Sequence, residues 1–101
     1  MQKVQVAIIG AGPAGLTLAL LLQRAGISCQ IVELRSRAYV ESRVRAGLLE
    51  QNTVDLFREL GAGERMMMEG LVHHGVNLSF DSERIRVPFD ELTGGRCITI
   101  Y

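Results

Sequence analysis

Apolar residues in the first third of the chain form three blocks separated by glycine and polar positions. Residues 4–9 are almost continuously apolar, which predicts a strand covered on both faces. Residues 13–25 then predict a helix with almost no polar face, expected to lie between the sheet and another layer, and Gly26 is expected to cap it. Residues 27–34 predict a second strand, parallel to the first by the right-handed crossover rule.

The pattern changes twice in the rest of the chain. Residues 35–47 lose periodicity and are rich in arginine, which predicts a loop, whereas residues 48–60 and Glu64–Glu69 predict two helices. After Gly70 the period falls to two: residues 76–80 and 85–89 predict an antiparallel hairpin around a turn at 81–83, and residues 96–101 begin a further strand after a turn at 93–95. The predicted fold class is α/β: a Rossmann-like βαβ unit with an added helix pair, an antiparallel β-hairpin and an incomplete sheet.

Size and charge narrow the possible functions. The chain has 101 residues and equal numbers of basic and acidic side chains, eleven of each, so neither a nucleic-acid partner nor another polyanion is expected. Its first residues show no signal peptide, and its longest apolar run, at 18–22, is too short for a membrane span. Two parallel strands, one hairpin and an unfinished strand need partners to form a stable sheet. We therefore interpret residues 1–101 as the N-terminal part of a larger domain, whose remainder and any substrate domain are absent.

The two cysteines, Cys29 and Cys97, form no C-x-x-C pair and stand in apolar, strand-like surroundings. We expect buried free thiols rather than a disulfide, as in a reducing cytoplasm.

A glycine motif joins the first strand to the first helix. Gly10, Gly12 and Gly15 form G-x-G-x-x-G: the first allows a tight turn, the second a close approach of backbone to a pyrophosphate, and the third close packing of helix on strand. Pro13 suits the first helical turn, where a missing N–H costs nothing. The helix start then directs free N–H groups and a positive dipole end at the phosphates.

Glu33, at the end of the second predicted strand, is the expected ribose clamp. A carboxylate there accepts hydrogen bonds from a 2′-hydroxyl and repels a 2′-phosphate. The site therefore favours the ADP half of FAD or NAD over that of NADP; the alternative is a solvated charge at a strand end.

Further candidate residues follow in the basic stretch and beyond it. Arg43 and Arg45 can present paired donors to phosphate, and Ala46-Gly47 would let a flat ring lie against the backbone; each arginine could instead be a surface charge. For His73-His74 we expect no metal, because strand side chains alternate and no third ligand stands at metal spacing. One of the two histidines could be a proton relay, the alternative being a packed or surface histidine.

Together these segments resemble the N-terminal part of the 4-hydroxybenzoate 3-monooxygenase family of class A FAD-dependent aromatic hydroxylases. The resemblance runs from Val4 to Tyr101 and rests on four stretches: the apolar run and glycine motif at 6–15, Val32-Glu33, the run at 43–51, and Gly70-Leu71-Val72-His73. The Arg-x-Arg-Ala-Gly run, which continues into Leu-Leu-Glu-Gln, is far more specific than the glycine motif.

The resemblance implies FAD as cofactor, NADPH or NADH as reductant, and O2 and a phenolic acid as substrates, with hydroxylation ortho to the phenol. It implies a cytoplasmic enzyme that is a homodimer when full-length, and a fragment that is inactive alone. His73 matches the family's proton relay, and Arg35, Tyr39 and Arg43 match the segment that selects the pyridine nucleotide. Leu34 stands where relatives carry a basic residue, so the choice between NADPH and NADH stays open. The positions expected to contact FAD are Gly10, Gly12, Pro13, Ala14, Gly15, Glu33, Arg43, Val44, Arg45, Ala46, Gly47 and Leu48.

Two alternatives remain open at this point. One is a dinucleotide-binding module without chemistry of its own. The other is an FAD or NAD oxidoreductase of a different reaction type. The run at 43–51 argues against a plain NAD site, which needs neither two arginines nor an Ala-Gly pair after the second strand.

Overall fold

A computed structural model describes residues 2–45 and 47–101. They form two compact units, one ending at Arg45 and one comprising the residues that follow.

The first unit is a βαβ unit followed by a short helix. Strand β1 (Val6–Ile9) leads into helix α1 (Pro13–Arg24), which returns the chain to strand β2 (Cys29–Val32). The two strands pair in parallel, with Ile8 opposite Ile31, so the predicted topology is confirmed. Gly26 follows the helix in the left-handed conformation, with a φ of 70°, as a glycine after a helix end commonly does.

Helix α1 is more exposed than its sequence predicts. None of its residues is buried, and Leu16, Leu18 and Leu21 each expose between 42 and 47% of their surface. Within this unit the prediction of a helix enclosed between two layers is wrong. The physical reason is that a two-stranded sheet is too narrow to cover a helix that is apolar on nearly every side.

Helix α2 (Arg37–Ser42) lies inside the stretch that the sequence predicts as a loop. The Ser36 hydroxyl caps it by accepting a hydrogen bond from the Tyr39 N–H at 3.2 Å. The Arg37 guanidinium pairs with the Glu41 carboxylate one turn later at 2.6 Å. A serine cap and an i,i+4 ion pair are local helix signals, and they outweigh the missing apolar periodicity.

The described residues of the second unit form two small sheets and three helices. One sheet is antiparallel, with its last strand in the centre, and the other is a hairpin. The elements are β3 (Leu48–Glu50), α3 (Gln51–Glu59), α4 (Glu64–Glu69), β4 (Leu71–His73), β5 (Gly75–Phe80), β6 (Glu83–Pro88), α5 (Phe89–Thr93) and β7 (Ile98–Ile100). Both predicted helices of the pair exist, and so does the antiparallel hairpin.

Several boundaries in the second unit differ from the prediction. The helix predicted from residue 48 begins at Gln51, because residues 48–50 pair with β7 as a strand. The hairpin turn has two residues, Asp81 and Ser82, since Glu83 already pairs with Phe80. A short helix, α5, precedes the turn predicted at 93–95. In the first and second cases pairing across the sheet overrides a local preference.

The core is small in both units. Ile8 is buried in the first unit, and Val54 and Met66 are buried in the second. Thr99 is a buried polar residue at the centre of β7. Among the described residues no helix has the length and apolar character needed to cross a bilayer.

Candidate functional site

The turn from β1 into α1 is shaped by three glycines, the last of which, Gly15, lies in the first turn of the helix. Gly10 has a φ of +107°, which side chains rarely tolerate, and its N–H donates to the Val32 carbonyl at 2.8 Å. A Cβ on Gly15 would overlap the Gly10 carbonyl oxygen and lie 3.3 Å from Ile8 Cγ2. A Cβ on Gly12, in contrast, would meet no atom within 4 Å. The first glycine therefore permits the positive φ of the turn, the third permits close packing of the helix on the strand, and the second faces open space.

Helix α1 begins without a side-chain cap. Gly12 is its N-cap and offers no side-chain acceptor, and Pro13 is the first helical residue. Gly12 and Gly15 are half-buried, while Pro13 and Ala14 are exposed. Uncapped N–H groups at the start of a 12-residue helix, beside a glycine that leaves room, suit a phosphate group.

Glu33 is tied to this loop by two backbone hydrogen bonds. Its Oε2 accepts from the Ala11 N–H at 2.8 Å, and its Oε1 accepts from the Arg35 N–H at 2.9 Å. The bond from Ala11, followed by that from Arg35 and by the positive charge of Arg43, holds the pKa of the Glu33 carboxyl below its usual value. The side chain is ionised near neutral pH and stays partly exposed, so it can also accept from a ligand hydroxyl.

This arrangement fits the dinucleotide expected from the sequence. The open space at Gly12, the uncapped helix start and the fixed carboxylate of Glu33 lie at the carboxyl ends of two parallel strands. Ligands bind at that end of the strands in α/β folds of this kind. The structure thus brings together Gly10, Gly12, Gly15 and Glu33.

Two arginines flank one tyrosine beside Glu33. The guanidinium carbon of Arg35 lies 5.2 Å from the centre of the Tyr39 ring, and that of Arg43 lies 5.8 Å from it. Both separations are in the range of a cation–π contact. The structure therefore groups Arg35, Tyr39 and Arg43, the three positions expected near the pyridine nucleotide.

The remaining residues of the stretch 43–48 are divided between the two units. Val44 and Arg45 are exposed at the end of the first unit, and Ala46 lies outside the described residues. Gly47 and Leu48 belong to the second unit, where the Gly47 carbonyl accepts from the Tyr101 N–H at 2.9 Å. A Cβ on Gly47 would overlap the Tyr101 carbonyl oxygen, so close packing against Tyr101 explains why a glycine is needed at this position. Contact of this run with a flavin ring stays a prediction.

The two neighbouring histidines occupy different kinds of position. His73 is exposed and ends β4 opposite Ile98, whereas His74 is a bend residue between β4 and β5. The premise that both lie on one strand is therefore wrong. His74 Nδ1 lies 3.2 Å from the Cys97 sulfur and 3.5 Å from Asp90 Oδ2. Across residues 2–45 and 47–101 no three His, Cys, Asp or Glu side chains form a metal-binding group.

Sequence reasoning missed helix α2 and the contacts of His74. The signal for the helix was present, since Ser36 precedes an Arg37–Glu41 pair at i,i+4 spacing. No local signal joins His74, Asp90 and Cys97, because their contacts depend on how β4, α5 and β7 pack. Cys29 and Cys97 are both free thiols, half-buried rather than fully buried.

Comparison with known proteins agrees with this geometry. The family model described as "FAD binding domain" matches residues 3–101. The p-hydroxybenzoate hydroxylase of Acinetobacter baylyi is 48% identical over 99 residues, which are 98% of this chain and 24% of that protein. A probable NADH-specific resorcinol 4-hydroxylase of Rhodococcus jostii is 31% identical over 95% of this chain and 18% of its own length.

A solved structure has the same fold. It is pqsL, a probable FAD-dependent monooxygenase from Pseudomonas aeruginosa, with a TM-score of 0.78 and 25% identity over 96% of this chain and 26% of that one. The chain thus spans about a quarter or less of the length of these relatives. The match to p-hydroxybenzoate hydroxylase confirms the resemblance noted from the motifs.

Proposed function

The chain belongs to the FAD binding domain family, and from that premise we propose that it is the N-terminal part of a longer, cytoplasmic aromatic monooxygenase. The proposed reaction is hydroxylation of 4-hydroxybenzoate, or a close phenolic acid, ortho to its hydroxyl, with NADPH or NADH as reductant. The observation that carries this proposal is 48% identity to a p-hydroxybenzoate hydroxylase across nearly the whole chain. Relatives named for resorcinol and for 3-amino-4-hydroxybenzoate support the wider class of phenolic substrates.

The glycine loop would hold the pyrophosphate of FAD. Gly12 leaves room for the phosphates, and the N–H groups at the start of α1 can donate to them. Glu33, already fixed by Ala11 and Arg35, can accept from the adenosine ribose. When bound, FAD would supply the redox chemistry with the pyridine nucleotide and O2.

The surface around Tyr39 would receive the pyridine nucleotide. Arg35 and Arg43 hold two positive charges near the ring, and a guanidinium binds phosphate through paired donors. Leu34 is 91% exposed and offers no charge directly after Glu33. One relative is named as a probable NADH-specific hydroxylase, so the activity assay should test both NADPH and NADH as reductant.

His73 would take part in removing the phenolic proton. It is exposed, and an imidazole can hold and release a proton near neutral pH, which an amide cannot. His73→Asn in the full-length enzyme should slow substrate-stimulated flavin reduction and leave FAD binding intact. If reduction by stopped flow is unchanged across pH, His73 is a surface histidine and the relay is wrong.

The decisive experiment uses the purified full-length protein. A visible flavin spectrum, NADPH or NADH consumption stimulated by 4-hydroxybenzoate, and a dihydroxylated product would support the proposal. A flavoprotein that hydroxylates another phenolic acid would correct only the substrate. Tight NAD binding without flavin would overturn the assignment, and light scattering of the same sample tests the expected homodimer.

A further inference from the structure

Three chemically active side chains meet in the second unit. Nδ1 of His74 lies 3.2 Å from the sulfur of Cys97 and 3.5 Å from a carboxylate oxygen of Asp90. None of the three belongs to the residues proposed to bind FAD, the reductant or the substrate. We call this group the Cys97 cluster.

Backbone contacts hold the cluster in place. The Asp90 N–H donates to the carbonyl of His74 at 3.2 Å, which fixes the start of α5 beside the bend. The Cys97 N–H donates to Gln51 Oε1 at 3.4 Å, just before β7 begins. These hydrogen bonds therefore tie the bend at His74 to α5 and the segment before β7 to Gln51.

One imidazole nitrogen of His74 faces both the thiol and the carboxylate. A lone pair on this atom can accept the proton of the Cys97 thiol, and an N–H on it can donate to the Asp90 carboxylate. A carboxylate beside an imidazole stabilises its protonated form, and a protonated imidazole stabilises a thiolate. The same nitrogen can therefore take the thiol proton while the carboxylate lies within reach.

The cluster is reachable from solvent. The side chain of His74 is 60% exposed and that of Asp90 is 37% exposed, while Cys97 is half-buried. A small oxidant can therefore approach the sulfur. Reactive cysteines are found beside a histidine in such partly exposed surroundings, whereas cysteines buried among apolar groups are inert.

We propose that Cys97 is a peroxide-reactive thiol, with His74 as its acid–base partner and Asp90 orienting the imidazole. In the reaction the Cys97 thiolate attacks one oxygen of hydrogen peroxide, and an S–O bond forms as the O–O bond breaks. The sulfur loses two electrons, and the leaving hydroxide takes the proton from His74 Nδ1 as water. The product is a sulfenic acid, which a thiol can reduce again.

Cys29 provides an internal control. It is also a free, half-buried thiol, but it lies in β2 of the first unit and is not part of the cluster. Full-length protein is exposed briefly to hydrogen peroxide with dimedone, and labelling of each cysteine is measured by peptide mass spectrometry. We expect Cys97 to be labelled at least about tenfold faster than Cys29.

Variants separate the chemistry from packing. His74→Asn should lower the rate of Cys97 labelling by about tenfold or more. Asp90→Asn should lower this rate less, because Asp90 only orients the imidazole of His74. His73→Asn, the matched neighbour, should leave it unchanged. Equal labelling of Cys97 and Cys29 in the unmodified protein, or unchanged labelling in His74→Asn, would overturn the proposal.

A second measurement guards against misfolding. The first comparison uses the unmodified protein, so it does not depend on whether a variant folds. Iodoacetamide should alkylate Cys97 faster than Cys29 in this protein. In His74→Asn the alkylation rate of Cys29 should equal that of the parent if the fold is intact. A rise at both cysteines would mean that the variant has unfolded, and the comparison of the two thiols in the parent then decides.

Discussion

Replacing Gly15 by alanine tests whether the third glycine of the loop serves packing or the ligand. The new Cβ would overlap the Gly10 carbonyl oxygen, lie 3.2 Å from the Gly10 carbonyl carbon and lie 3.3 Å from Ile8 Cγ2. These neighbours are backbone and a core side chain, so none can move aside as the tip of a flexible side chain would. The helix must instead shift away from β1 by about 1 Å to restore normal contact.

Such overpacking costs about 1–3 kcal/mol in the free energy of unfolding. At about 2 kcal/mol, a domain of roughly 150–250 residues would lose about 4–8 °C in Tm. The assay is thermal unfolding of the full-length protein, without added flavin and with a saturating amount. We expect the loss in Tm under both conditions.

Gly12→Ala is the matched control. Its Cβ would meet nothing within 4 Å and its φ of −81° suits any residue, so the cost to stability should stay below about 1 kcal/mol. The methyl group would, however, occupy the space proposed for the pyrophosphate, so the Kd for FAD should rise. Equal Tm values for the two variants would refute the packing argument, and an unchanged Kd in Gly12→Ala would refute the proposed phosphate position.

Four further predictions concern charge and stacking. Glu33→Gln should weaken FAD binding, because its amide nitrogen would face one of two backbone N–H donors; full flavin retention on dialysis would contradict this. The pKa of Glu33 is lowered in the folded protein, so its contribution to the free energy of unfolding is complete above the ordinary value of 4.5 and is lost as the pH falls through the lowered one; unfolding measured as a function of pH should show this loss in the parent and lack it in Glu33→Gln. Tyr39→Phe should keep the KM for the pyridine nucleotide and Tyr39→Ala should raise it, because only the ring is needed between the arginines; equal KM values would argue against stacking. Arg45→Lys should loosen flavin or slow its reduction, because lysine keeps the charge but loses the paired donors, and parental values for both would remove Arg45 from the site.

The nucleotide-binding loop could be predicted from the sequence because the residues that determine it are close together in the chain. Gly10, Gly12 and Gly15 are fixed by their spacing, and Glu33 follows at the end of the next strand, so the contact between Glu33 and Ala11 needs only one βαβ unit. The strand at 48–50 could not be found in this way. Its pairing with β7 joins residues about fifty positions apart, and no local pattern carries that information.

The Cys97 cluster was out of reach for the same reason. Asp90 lies in α5, His74 in the bend before β5 and Cys97 just before β7, and strand alternation alone suggested only that the two histidines diverge. The exposure of α1 was also mispredicted. The apolar residues of a helix show which of its faces can be buried, but they do not show how much surface the neighbouring elements provide.

The two-residue turn of the hairpin restricts how this part of the gene can change in length. Asp81 and Ser82 both have positive φ, 47° and 61°, as the tight turn that suits twisted strands requires. One inserted or deleted residue would shift β6 by one position against β5 and exchange its apolar and polar faces. Homologous proteins should therefore differ here by substitution, towards Asn or Gly, and their insertions and deletions should lie in other segments.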